Sequence, residues 1–251
     1  MLLPFGLATF ALGVLQAACV ALPDRRWPAF LTRLRGRAWA LIAPASIVVV
    51  VAGISAASAV ADGLTWLALI AVPPLAAVAL GRAAHGARPV AALFALPLLA
   101  IAWAAGHTLA GDLAAAALTA LSCVSLGWLL AAVTPPLWLK AGIVVMAAID
   151  SYLIVSDQLQ GPNATLVAAA PPVGLPQLQF AGIAHASLGY GDLFVAGVFG
   201  GVLAAERRRQ LPAAALVLAL ATLFDLLFWV TDELPATVPV AVALLALELR
   251  R

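Results

Sequence analysis

Long apolar stretches make up most of the chain, and short segments with charged residues, proline or glycine interrupt them. Within the stretches the apolar residues are continuous rather than alternating, which favours membrane-spanning helices over the strands of a closed barrel. A spanning helix needs about 20 predominantly apolar residues. The pattern therefore predicts nine transmembrane helices, at about residues 3–22, 38–60, 64–81, 89–106, 112–133, 136–156, 180–204, 211–230 and 234–249.

The composition supports a membrane location. Of the 251 residues, 65% are hydrophobic and 10% are charged, whereas soluble domains are roughly half apolar and about one quarter charged. Since an ordinary core cannot hide this much apolar surface, we expect an all-α, multi-pass membrane protein of the prokaryotic plasma-membrane type. Its partner is the lipid bilayer, and no nucleic-acid partner is expected. Cys19 and Cys123 lie inside apolar runs, and the sequence suggests neither a metal site nor a cofactor.

Basic residues all lie on one side of the nine predicted spans. The thirteen Lys and Arg residues fall between spans 1 and 2, 3 and 4, 5 and 6, and 7 and 8, or at the C-terminal end. The opposite side carries the acidic residues Asp62, Asp112, Asp157, Asp232 and Glu233. Because cytoplasmic segments are enriched in Lys and Arg, the pattern predicts an outer N-terminus and a cytoplasmic C-terminus.

The predicted helices form a single membrane domain over residues 1–251. We divide it into a five-helix scaffold, 1–133, and a four-helix part, 134–251, which holds the candidate chemistry. One long connection, the outer loop 157–179, joins spans 6 and 7 and is rich in Gly and Pro. It contains a strand-like stretch that consists of Thr165, Leu166, Val167, Ala168 and Ala169.

Three aspartates fall inside predicted spans: Asp150, Asp192 and Asp225. An ionised Asp at the bilayer centre costs about 2.5–3.5 kcal/mol, so such residues normally face the interior of a helix bundle and have a function. Asp225 lies near the outer end of its span, two turns from Asp232, and we interpret it as a partly hydrated bystander. Asp150 and Asp192 remain as candidate catalytic residues.

Two glycines, Gly189 and Gly191, precede Asp192. Glycine loosens a helix and lets another backbone approach closely, which a protease needs in order to hold an extended peptide against its carboxyls. Two carboxyls in a low-dielectric site share one proton, because both cannot ionise there. The charged carboxylate then activates water while the protonated one polarises the peptide carbonyl. This chemistry needs no metal.

These features resemble those of a known family. Asp150 in span 6, Gly189-Tyr190-Gly191-Asp192 in span 7 and Leu234-Pro235-Ala236-Thr237 at the start of span 9 are similar to the signatures of the GxGD intramembrane proteases, the presenilin and signal peptide peptidase family. The similarity covers roughly residues 140–245. It implies a nine-helix bundle in which Asp150 and Asp192 form the catalytic dyad. The substrates would be transmembrane or signal-peptide-like segments of other proteins.

The resemblance also implies a substrate site. Gly189, Tyr190, Gly191, Pro235, Ala236 and Thr237 would lie beside the dyad, and Thr165–Ala169 resembles the loop strand that pairs with an extended substrate. Two positions depart from the family pattern, since Ile149 replaces the usual Tyr before the first Asp and Thr237 replaces the Leu of Pro-Ala-Leu. The predicted orientation matches signal peptide peptidase, which implies substrates with a cytoplasmic N-terminus.

Other functions remain open. Prepilin peptidases also carry a Gly-x-Gly-Asp aspartate, but they place further membrane segments between the two aspartates, which here are only 42 residues apart. A proton-coupled transporter could use Asp150 and Asp192 as a proton relay, although the inverted repeats typical of transporters are not visible. A catalytically silent scaffold that retains the motif is the third alternative.

Overall fold

The computed structural model describes residues 5–106, 108–231 and 234–249. Within these ranges the chain forms eleven α-helices and one β-hairpin. Four residues of the predicted charge pattern, Asp232, Glu233, Arg250 and Arg251, lie outside the described residues.

The regular elements follow one another in a mostly helical order. The α-helices are α1 (Phe5–Ala21), α2 (Ala29–Arg33), α3 (Ile42–Ala56), α4 (Ala59–Val78), α5 (Ala95–Ala104), α6 (Leu109–Val133), α7 (Pro136–Val155), α8 (Gln160–Ala168), α9 (Tyr190–Leu203), α10 (Arg207–Phe224) and α11 (Val238–Leu249). The antiparallel strands are β1 (Phe180–Ile183) and β2 (Ala186–Gly189), with Phe180 opposite Gly189 and Ile183 opposite Ala186. Short 3₁₀ or π segments, Arg37–Leu41, Ala79–Ala83, Pro89–Phe94 and Asp225–Trp229, adjoin α3, α4, α5 and α10.

Among the described residues, five helical segments are long and apolar enough to cross a membrane: Arg37–Ala56, Ala59–Ala83, Leu109–Val133, Pro136–Val155 and Arg207–Trp229. Four shorter apolar helices accompany them, Phe5–Ala21, Pro89–Ala104, Tyr190–Leu203 and Val238–Leu249. Large apolar side chains such as Val49, Ile70 and Val90 are about 70% exposed on the outside of the bundle, as expected of a surface that contacts lipid. The prediction of a helical membrane protein is confirmed, while nine crossings stay a prediction.

Helix α6 is the centre of the bundle. It is the most buried of the five long helices, and α1, α4, α5 and α9 pack around it. The closest approach is to α9, where the backbones of Gly127 and Gly197 touch; a Cβ atom on either residue would overlap the other helix. This glycine contact positions α9, whose first turn carries Asp192.

The segment between α7 and α9 differs from its prediction. The stretch Thr165–Ala169 is not a strand, because Thr165–Ala168 belong to α8 and the Thr165 hydroxyl donates within that helix to the Gly161 carbonyl oxygen. The helix ends where the Ala169 carbonyl oxygen accepts hydrogen bonds from Thr65 and Gln179. A strand at this position would need a pairing partner, and the strands that do form lie at 180–189.

The seventh predicted span, 180–204, is also corrected. Its first ten residues form the β1–β2 hairpin, and only Tyr190–Leu203 is helical. In the hairpin turn Ala184 adopts a positive φ of 53°, and its N–H donates to the Asp112 carboxyl at 3.1 Å. The apolar character of this stretch therefore reflects a packed hairpin that leads into a short helix.

Candidate active site

Asp150 lies on the buried face of α7, near the helix end, and only 5% of it is exposed. Its carboxyl oxygen Oδ2 accepts a short hydrogen bond of 2.6 Å from the hydroxyl of Thr237, which is itself 1% exposed. A buried carboxyl needs such a partner, because an unpaired charge there would be strongly destabilising. The contact joins two parts of the chain that are 87 residues apart.

The segment 234–237 that supplies Thr237 is held from two directions. On one side the side-chain amide of Gln16 in α1 donates to the Ala236 carbonyl oxygen at 2.8 Å. On the other, the Ala241 N–H donates to the Thr237 carbonyl oxygen at 3.1 Å, at the beginning of α11. The segment therefore presents the Thr237 hydroxyl to Asp150 from a fixed backbone.

Asp192 is the third residue of α9, in the first helical turn. Its Oδ2 atom accepts a hydrogen bond of 3.1 Å from the N–H of Gly189, the residue before the helix. A Cβ atom on Gly189 would lie 2.9 Å from the same oxygen, so a larger residue there would displace the carboxyl from this position. The glycines of the motif thus mark the beginning of the helix, whereas the sequence analysis expected them to loosen its middle.

The other two residues of the motif fix α9 against its neighbours. The Tyr190 hydroxyl lies 2.9 Å from the hydroxyl of Ser122 in α6. Gly191 faces α7, where a Cβ atom would approach the Met146 methyl group to 3.3 Å. Both contacts orient the first turn of α9 so that Asp192 points toward α7.

The two aspartates meet at one cavity of about 920 Å³. Both carboxyls line it, and the helices that carry them, α7 and α9, pack against each other. The walls come mainly from α1, α3, α4, α7, α8 and the hairpin, and most lining side chains are apolar. A pair of carboxyls in such a cavity matches the arrangement expected of an aspartyl dyad that activates water.

The structure brings some of the predicted substrate residues to this cavity and leaves others away from it. The lining includes Gly189, Tyr190, Gly191, Ala236, Thr237, Leu166 and Val167. Four predicted residues, Thr165, Ala168, Ala169 and Pro235, are not part of the lining. In α8, Leu166 and Val167 contact the cavity from a helix. The expected strand is absent there, so this segment offers no strand edge with which an extended substrate could pair.

Three features of the cavity were missed by sequence reasoning. Gln16 is an amide inside a predicted span and is 1% exposed, and its isolation in an apolar run was a usable signal. Strand β2 lines the cavity through Ser187 and Leu188, but its sequence resembles that of a membrane span. Asp225, interpreted as a bystander, also lines the cavity and interacts with the Thr9 hydroxyl.

Comparison with known proteins returns no match for this chain. No family model, no curated protein and no solved structure is similar to it at a significant level. The residues of the chain and the geometry of the cavity are therefore the basis for a functional proposal.

Proposed function

We propose that the chain is an intramembrane aspartyl endopeptidase that hydrolyses peptide bonds in transmembrane or signal-peptide-like segments. The observation that carries the proposal is the meeting of Asp150 and Asp192, from α7 and α9, at one largely apolar cavity. Neither carboxyl forms an ion pair with Lys or Arg among the described residues. A purely structural buried carboxylate is normally paired with a cation, so the arrangement favours catalysis.

The chemistry follows from the two carboxyls. The charged carboxylate takes a proton from water while the water oxygen bonds to the peptide carbonyl carbon, and the protonated carboxyl gives its proton to the carbonyl oxygen. The tetrahedral diol then breaks its C–N bond. The first carboxyl passes its proton to the leaving nitrogen, and a diol hydroxyl returns a proton to the second. The products are a carboxylic acid and an amine, and the dyad regains its starting state.

An extended substrate fits this site better than a helical one, because a helical peptide holds its scissile carbonyl in its own hydrogen bonds. Strand β2 runs along the cavity and ends at Gly189, three residues before Asp192. We propose that the substrate adds to the hairpin by β-augmentation, in the role that the resemblance assigned to Thr165–Ala169. Gly189, Ala236 and Thr237 would then flank the scissile bond.

The membrane arrangement belongs to the same proposal. We infer nine crossings in a presenilin-like or signal peptide peptidase-like bundle, with α1 beginning outside and α11 ending in the cytoplasm of a prokaryotic plasma membrane. The charge pattern supports this orientation, and it implies substrates whose N-terminus is cytoplasmic. Nine apolar helical segments, five long and four short, are available for these crossings.

The deciding experiment is cleavage of a fluorescently labelled single-span substrate in liposomes. We expect cleavage by the wild type and a loss of at least about 10⁴-fold in Asp150→Asn and Asp192→Asn, because each carboxyl takes part in both proton transfers. Asp62→Asn is the matched control, since Asp62 is exposed and is not part of the cavity lining. Product formation that persists in either dyad variant would refute the proposal. Proton-driven uptake without cleavage would instead favour the transporter.

A further inference from the structure

The cavity of the dyad extends to a third carboxyl, Asp225, which follows the last residue of α10. Asp225 is half-buried, and the hydroxyl of Thr9 interacts with its carboxyl. Thr9 belongs to α1 and is itself buried. A hydrated bystander at the end of a helix would need no such partner from another helix, so this carboxyl is built into the cavity wall.

Helix α1 connects this carboxyl to the dyad along one face. The residues Phe5, Thr9, Leu12, Gly13 and Gln16 recur at helical spacing, and all of them line the cavity. Thr9 lies beside Asp225. Gln16 donates to the carbonyl oxygen of Ala236, and the next residue, Thr237, donates to Asp150. At about 1.5 Å per residue, the seven steps from Thr9 to Gln16 correspond to about 10 Å.

The charge of the cavity is one-sided. Among the described residues, its lining includes the carboxyls of Asp150, Asp192 and Asp225 and the imidazole of His185, but no Lys or Arg. Asp225 forms no ion pair with any basic residue of the described ranges. A carboxylate on a largely apolar wall attracts a cation, because few other groups there compete for the charge.

We propose that Asp225 forms a subsite for a basic side chain of the substrate. An extended peptide advances about 3.3 Å per residue, so 10 Å corresponds to about three residues between the scissile bond and the basic residue. With the orientation given above, this residue lies on the outer, C-terminal side of the scissile bond. The inference rests on the proposed protease function, and it defines the substrate class as single-span segments with Lys or Arg at that position.

The test compares three single-span peptides that differ at one position, three residues on the C-terminal side of the scissile bond. The position carries Lys, Gln or Glu, and scans at two and four residues locate the optimum. We expect the wild type to cleave the Lys peptide about five-fold faster than the Gln peptide, as for a partly exposed ion pair. In Asp225→Asn this ratio falls toward one, and in Asp225→Lys the Glu peptide becomes preferred over the Lys peptide. Asp62→Asn, which removes an exposed carboxyl outside the cavity lining, keeps the wild-type ratio.

A Lys-to-Gln ratio that is equal in the wild type and Asp225→Asn would overturn the subsite. Failure of the protease function is a different result, in which the wild type cleaves none of the peptides. Binding of fluorescent Lys and Gln peptides, measured by anisotropy with the wild type and Asp225→Asn, decides the subsite in that case as well. The subsite is supported if the wild type binds the Lys peptide more tightly than the Gln peptide and Asp225→Asn does not. It is refuted if the Lys-to-Gln ratio of binding is the same for both proteins.

Discussion

The hydrogen bond between Thr237 and Asp150 is the most specific contact of the site. Removing the hydroxyl in Thr237→Val keeps the shape of the side chain but leaves a carboxyl oxygen without its donor at 2.6 Å. A hydrogen bond to a charged group contributes about 1.5–3 kcal/mol, so we expect kcat to fall about 10- to 100-fold. The measurement is the rate of substrate cleavage in liposomes at saturating substrate.

Thr237→Ser is the matched control because it retains the hydroxyl. It should restore most of kcat, while KM changes little in either variant if Thr237 acts through Asp150 rather than on the substrate. A raised KM with unchanged kcat in Thr237→Val would mean that the residue contacts substrate, as the resemblance implied. Equal losses in the Val and Ser variants would contradict the role of the hydroxyl.

Asp150 and Asp192 were recognisable in the sequence as candidate site residues, whereas the contacts that hold them were recognisable only in part. A charge inside an apolar run stands out in any sequence, and Asp150 and Asp192 were found for that reason. The partner of Asp150 is Thr237, 87 residues away; the resemblance places Thr237 beside the two aspartates, but nothing in the local pattern marks it as the donor. Asp225 carries the same local signal as the dyad, and only the packing of α10 against α1 distinguishes a cavity residue from a bystander.

At the scale of elements, the contact between α6 and α9 positions Asp192. Gly197 touches the backbone of Cys123, and Gly127 touches Gly197 itself. Small residues allow such close packing of membrane helices. In Gly197→Ala the added methyl group must push α9 away from α6, at a cost of about 1–3 kcal/mol for overpacking.

We therefore expect Gly197→Ala to lower the midpoint of thermal inactivation in detergent and to reduce cleavage, since α9 carries Asp192. Gly63→Ala is the control, because a Cβ atom there meets no other atom within 4 Å. It should keep both wild-type values. An unchanged inactivation midpoint in Gly197→Ala would show that the two helices do not depend on this contact.

The helices and the connecting segment differ in how far their sequence determines them. In the part of the chain that the structure describes, nine apolar helical segments correspond to the nine apolar runs, because a long apolar run in lipid has the helix as its only local way to satisfy backbone hydrogen bonds. The segment 157–189 is different. Its β-branched residues around Thr165 resemble a strand but form α8, while 180–189 resembles a span but forms a hairpin.

The secondary structure of this segment depends on hydrogen-bond partners that are distant in the sequence. The end of α8 is fixed by donors from Thr65 and Gln179, and the hairpin turn is fixed by Asp112 in α6. The turn itself contains Ala184 and His185 without a glycine, although Ala184 has a positive φ. Usual turn signals depend on Gly or Asn at such positions, so the hairpin has no recognisable sequence signature.

For the whole molecule, α9 is one of the short helices of the described residues that the proposed topology requires to cross the membrane. Its 14 residues extend over about 21 Å, which is less than the roughly 30 Å of a bilayer core. The hairpin before it lengthens the structure toward the predicted outer side and packs against α6 and α1. The predicted orientation requires that this combined segment reaches from one membrane surface to the other.

Single cysteines on either side of the segment test the crossing directly. Ser156 follows α7 and Arg208 lies in the first turn of α10, and both are exposed. The native Cys19 and Cys123 are fully buried and give little background. In intact cells a membrane-impermeant maleimide should label Ser156→Cys but not Arg208→Cys, and both should react after permeabilisation. Labelling of both positions in intact cells would mean that α9 does not cross, and the reversed pattern would invert the proposed orientation. The inference that substrates have a cytoplasmic N-terminus depends on this topology. Labelling of both positions would remove that inference, and the reversed pattern would reverse it.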